Sequence, residues 1–72
     1  MKVLDLVALL ADLPEHNLRR GQIGTIIEEW EAGVFEVEFS NTDGVAYAMV
    51  AMSADQLMVL HWQPSETNTV GG

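Results

Sequence analysis

VFEVEF, residues 34–39, sets Phe35, Val37 and Phe39 on one side of an extended chain and Glu36 and Glu38 on the other. Successive side chains of a strand point to opposite faces, so the stretch reads as an antiparallel strand with an apolar face on a core and an acidic face in water. The next residues, Asn41, Thr42, Asp43 and Gly44, combine short polar side chains with a glycine for a positive-φ position, which suits a tight reversal. A second arm occupies 45–52. Alternation puts Val45, Tyr47, Met49 and Ala51 on one of its faces, but Ala46, Ala48 and Val50 on the other leave open which face is inside. Upstream, residues 23–30 are rich in β-branched side chains and Glu31, Ala32 and Gly33 offer a turn, so three consecutive strands form a meander. Gly24, inside the first of them, is expected to mark a bulge or a sharp bend, and Gly21 to turn the chain out of a loop carrying Arg19 and Arg20.

The two ends are less decided. Val3, Leu6, Val7 and Leu10 match a helical stripe, while the unbroken apolar run 6–10 equally suits a buried strand. Pro14 argues against a helix passing Leu13. Ser53 is placed to cap a single helical turn that has Asp55 and Gln56 in its first positions, ahead of a last short strand over 57–62. Beyond Pro64 the sequence SETNTVGG has no periodicity. The expected organisation is one domain over 1–63 and a flexible tail over 64–72.

With 72 residues the chain has room for one core. The absence of cysteine excludes disulfides, thiolate zinc sites and cysteine nucleophiles, and 49% hydrophobic residues place it well away from intrinsic disorder. Eleven acidic residues against three basic ones give a net charge of -8. Phosphate neutralisation has only Lys2, Arg19 and Arg20 to draw on, so no nucleic-acid partner is expected. The same surplus repels anionic membranes and steers toward a basic protein surface. In MKVLDLVALLAD, Asp5 interrupts the apolar stretch, no small-residue cleavage site comes after it, and the run falls short of the ~20 residues of a membrane span. The expectation is folded structure in a cytoplasmic protein.

The strings LRRGQIGTIIEEW (18–30), GVFEVEFSNTDG (33–44) and AMSADQLMVL (51–60) occur in the order of a known pattern. The chain resembles a family of small bacterial proteins known only as a domain of unknown function. Its marks here are Asp12, Leu13 and Pro14; Leu18, Arg20, Gly21, Gly24, Thr25, Ile26 and Ile27; residues 35–39; and Gln56 with Leu57. The resemblance implies an all-β fold, a small five-stranded SH3-like barrel with a one-turn helix before the last strand, and it favours a strand for the first segment. It carries over no catalytic or ligand-binding residue. The glycine-rich strand is also similar to those of ribosomal and elongation-factor barrels that bind RNA, which are basic where this chain is acidic.

Glu28, Glu29, Glu31, Glu36 and Glu38 gather on two strands expected to be neighbours. Such a face is either the solvated side of a sheet or a platform for a basic protein, as in an antitoxin or immunity protein covering a basic nuclease. It lacks the looped ligand spacing of a calcium site. Arg19 and Arg20 suit either a bidentate grip on a carboxylate or phosphate, or local ion pairs. Trp30, Trp62 and Tyr47 suit an aromatic groove or core packing, and Met49, Met52 and Met58 a contact patch or core filler. Asp12, Glu15, His16 and His61 show neither H-x-E nor H-E-x-x-H spacing, and Ser53 has no histidine partner, so no catalytic residue, metal or cofactor is expected. The functional expectation is a non-enzymatic protein-binding accessory module that contacts its partner through Arg19, Arg20, Glu28, Trp30, Glu36 and Glu38. The alternative is a small structural or regulatory subunit of a larger complex, including a homo-oligomer that pairs its sheet edges.

Overall fold

The structure, a computed structural model, describes residues 1–41 and 43–61. Five strands, β1 (Leu6–Leu9), β2 (Ile23–Glu31), β3 (Val34–Ser40), β4 (Ala46–Ser53) and β5 (Leu57–Val59), form one antiparallel sheet in the order β4-β3-β2-β1-β5. The first segment is therefore a strand, as the resemblance implies. Its apolar run fits a central position, paired on both sides by β2 and β5. The expectations for Trp62 and for the tail fall outside the described residues.

Phe35, Val37 and Phe39 all point inward and are buried, and the β3–β4 register sets Met52, Val50 and Ala48 opposite them. That register decides the face that alternation within 45–52 left open: Val50 and Met52 are core, whereas Met49 and Ala51 are exposed. At the start of β4 the ladder shifts between Phe39 and Ser40, which leaves Tyr47 without a β3 partner.

The sheet must curl. A flat one would hold β4 and β5 four strand spacings apart, ~19 Å, yet the chain from Ser53 to Leu57 can span at most ~15 Å even fully extended. A three-residue 3₁₀ turn, Ala54–Gln56, makes the connection. Curling brings Val7, Leu9 and Leu57 from one end of the strand order into one core cluster with Phe35, Val50 and Met52 from the other. It also explains how a single sheet takes Phe39 and Val37 to 0% exposure. Among the described residues no ladder joins β4 to β5, so the curl stops short of closure.

The loop between β1 and β2 fills part of the remaining opening. Leu18 is 1% exposed, and mutual backbone hydrogen bonds between Leu13 and Leu18, of 2.9 and 3.1 Å, cinch the segment around a 3₁₀ turn at Pro14–His16.

The turn before β5 has the expected cap. The Ser53 N–H donates to Gln56 Oε1 at 3.0 Å and the Ser53 hydroxyl bonds the Asp55 carboxylate. Ser53→Ala should cost about 1 kcal/mol, read as a fall in the urea midpoint with an unchanged slope. A wild-type midpoint would show that the cap does not hold the turn that brings the two sheet edges together.

Candidate functional site: the acidic outer face

A two-residue hairpin loop, Ala32 and Gly33, separates the paired residues Glu31 and Val34. Extended without irregularity, that register would put Glu29 opposite Glu36 and turn Glu28 and Trp30 toward the core. The observed ladder shifts twice, between Glu29 and Glu31 and between Ile26 and Glu28, so Trp30 and Ile27 are the extra residues of two bulges in β2. Each bulge re-aims the side chains beyond it. Glu28 now stands directly opposite Glu36, and Thr25 opposite Glu38.

The result is a patch on the face away from the core. Glu28, Glu36 and Glu38 share it, with Glu36 and Glu38 half-buried and Glu28 exposed. Directly opposed side chains in an antiparallel pair have Cβ atoms about 4.5–5.5 Å apart, and like charges so placed destabilise the sheet. Trp30 lies over this pair: its indole Nε1–H donates to Glu36 Oε1 at 2.9 Å while the side chain stays 58% exposed. On the other flank Met49 is opposite Glu38 and Ala51 opposite Glu36. Three carboxylates beside an exposed indole form a surface suited to a guanidinium or ammonium group, through charge-assisted hydrogen bonds and attraction to the ring face.

Of the sequence-predicted contact residues, the fold brings Glu28, Trp30, Glu36 and Glu38 together and leaves Arg19 and Arg20 elsewhere. The arginines sit in the β1–β2 loop, and the run from Ile23 to Glu28 alone extends ~17 Å beyond it. Their backbone N–H groups bind Gln22 Oε1 at 2.6 Å and Asp12 Oδ1 at 2.8 Å. Glu29 is in register with inward-facing Phe35 and falls outside the patch, whereas Glu31, opposite Val34, lies on the same face at the hairpin end, beyond the opposed pair. Trp30 and Tyr47 do not make one groove. They flank opposite ends of β3, ~13 Å apart along the strand from Glu36 to Ser40, and the Tyr47 hydroxyl accepts instead from Gln22 Nε2 at 2.6 Å.

Met49 is the member of this surface that sequence reading did not attach to the glutamates. Its signal lay in the β3–β4 register, which the length of the turn at 41–45 sets. His16 and His61 are both exposed, and among the described residues no three His, Asp or Glu side chains are grouped to hold a metal ion. A shallow groove of about 450 Å³ lies along Asp12, Pro14, Asn17, Leu18 and Arg19, at the loop and away from the acidic patch. Among the described residues no helix is long and apolar enough to cross a membrane.

Residues 3–59 match the family described as "Domain of unknown function (DUF4926)". Neither curated proteins nor solved structures give a match.

Proposed function

We propose that this chain, which belongs to the DUF4926 family, is a non-enzymatic, cytoplasmic protein-binding accessory module whose acidic outer face covers a basic partner, in the manner of an antitoxin or immunity protein. The observation that carries the reading is the outer-face cluster of Glu28 opposed to Glu36 with Trp30, turned outward by its bulge, donating to the Glu36 carboxylate. The regular register would already oppose Glu29 to Glu36; what the bulge at Trp30 adds is an exposed indole on the same outer face as the opposed carboxylates. Opposed like charges cost stability in the free protein and are relieved when a cation docks between them. The net charge of -8 adds long-range attraction for such a partner. We read the curled sheet as an SH3-like barrel, supported by the strand order β5-β1-β2-β3-β4 and by the one-turn connection between the last two strands.

The test is an affinity capture at low salt with the wild-type chain and with the triple variant Glu28→Gln, Glu36→Gln, Glu38→Gln. The amide still accepts the Trp30 bond, and the opposed charges are gone, so the variant should melt no lower than wild type. A basic protein held by the wild type, released by salt and bound roughly three- to a hundred-fold more weakly by the variant is the expected result, at about 0.2–1 kcal/mol for each rim charge. Equal capture by both chains would reject the acidic face as the contact surface.

A further inference from the structure

β4 is the strand at one end of the order, and among the described residues one whole side of its backbone has no partner in the sheet. Proteins guard such edges with shortness, charge, proline or bulges. The other edge, β5, has three residues and is guarded by shortness. β4 runs to eight residues, AYAMVAMS, with no charged residue and no proline. Its single irregularity lies at its start, and from Ala48 to Ser53 six residues hold unbroken register with β3. Met49 and Ala51 on that run are exposed.

Charge identifies the occupant. In a chain of net charge -8, a strand from a basic partner would be drawn to the glutamates of β2 and β3, whereas this edge offers it no carboxylate of its own. An uncharged edge is the part of such a molecule that can lie beside its own copy without repulsion. The nearest carboxylates on β3 would then face those of the second copy across three strand spacings, ~14 Å, which exceeds the Debye length of ~8–10 Å at ordinary salt.

We propose that the Ala48–Ser53 edge of β4 pairs antiparallel with the same edge of a second copy, making a two-fold dimer with one sheet continuous through both chains. The pleat restricts the register. Opposed residues share a face, so an inward residue must meet an inward one. A two-fold axis at Val50 satisfies this and pairs residues 48–52, with Val50 opposite Val50, Ala48 opposite Met52 and Met49 opposite Ala51. The acidic face remains open on both subunits, so this dimer and the capture of a basic partner stand or fall separately.

Sedimentation equilibrium reads the result directly: the wild type should have twice the 7.9 kDa chain mass. The double variant Met49→Lys, Ala51→Lys should have the chain mass itself. Within one chain each lysine faces a glutamate, Glu38 or Glu36, which keeps the fold, whereas in the dimer lysine would face lysine. As a second measurement that does not depend on this variant, separately purified Met49→Cys and Ala51→Cys chains are mixed and oxidised. The protein has no other cysteine, and opposed Cα atoms about 4.5–5.5 Å apart lie within disulfide reach. Mixed cross-links in excess over either self-cross-link support the register. A monomeric wild type, or a dimer that survives both lysines, overturns the proposal.

Discussion

Gly24→Val is expected to abolish the cooperative unfolding transition, and Gly24→Ala to lower the melting temperature by about 5–20 °C. A Cβ built at Gly24 would lie 2.7 Å from Val37 Cγ1 and 2.9 Å from Phe39 Cδ1 and Cε1, closer than real carbon contacts come. Neither neighbour has room to give, since both are 0% exposed in the middle of the core. Overpacking of this kind costs about 1–3 kcal/mol for one methyl group, and each kcal/mol moves the midpoint of a domain this size by about 4–8 °C. Valine adds two further carbons in the same place. Circular dichroism melts of Gly24→Ala, Val37→Ala and the double variant check the cause. Removing Cγ1 makes space for the new methyl, so the double variant should be more stable than the two single losses predict. Strict additivity, within ~0.3–0.5 kcal/mol, would mean that the clash lies elsewhere.

The same glycine shows where sequence reading succeeds and where it stops. Glycine within a strand signals a bulge, a bend or a close approach, and composition does not choose among them. The ladder runs regularly through Gly24, which pairs with Val7 on one side and Phe39 on the other, so the close approach is its reason. The bulges exist, three and six residues further on, at Ile27 and Trp30. Nothing at those two positions marks them, because isoleucine and tryptophan are ordinary strand residues. The alternation of Phe35, Val37 and Phe39 was legible because charge and apolarity separate there without exception. β4 was ambiguous for the opposite reason: alanine and methionine occupy both of its faces, and only pairing with β3 tells them apart. Glu36 and Glu38 could thus be placed on the outer face from the sequence, whereas Glu28 and Trp30 reach it only through the register shift at Trp30.

Several marks of the family resemblance become explicable as architecture. Pro14 opens the 3₁₀ turn of the loop, Asp12 Oδ1 accepts the Arg20 N–H at 2.8 Å, and Gly21 takes a φ of +89° where its N–H returns to the Leu9 carbonyl at 2.8 Å. Gln56 closes the Ser53 cap, and Leu57 is buried in the core. These residues shape a loop, a turn and a packed sheet. Of the groups suited to binding, Glu36 and Glu38 belong to those marks and Glu28 and Trp30 do not, and all four share a face that the framework holds in place.

Leu18 separates that framework from the binding face most sharply. It is the one residue of the β1–β2 loop buried in the core cluster, and Leu18→Ala should cost about 2–5 kcal/mol, a large share of the 5–15 kcal/mol that holds a typical domain folded. Leu18→Met, which nearly conserves volume, should cost less than about 1.5 kcal/mol. Because the Leu13 and Leu18 backbones hold each other and Arg20 holds Asp12, the loss should appear first in the loop. Amide exchange at Leu18 and Gly21 should accelerate before that of β3, and denaturant titration should give the total. Uniform acceleration across the sheet would instead make Leu18 part of one indivisible core. Either way the acidic patch lies at the far end of β2, so at temperatures where Leu18→Ala remains folded its affinity for a basic partner should equal that of the wild type. A loss of binding without unfolding would transfer the contact surface to the loop that carries Arg19 and Arg20.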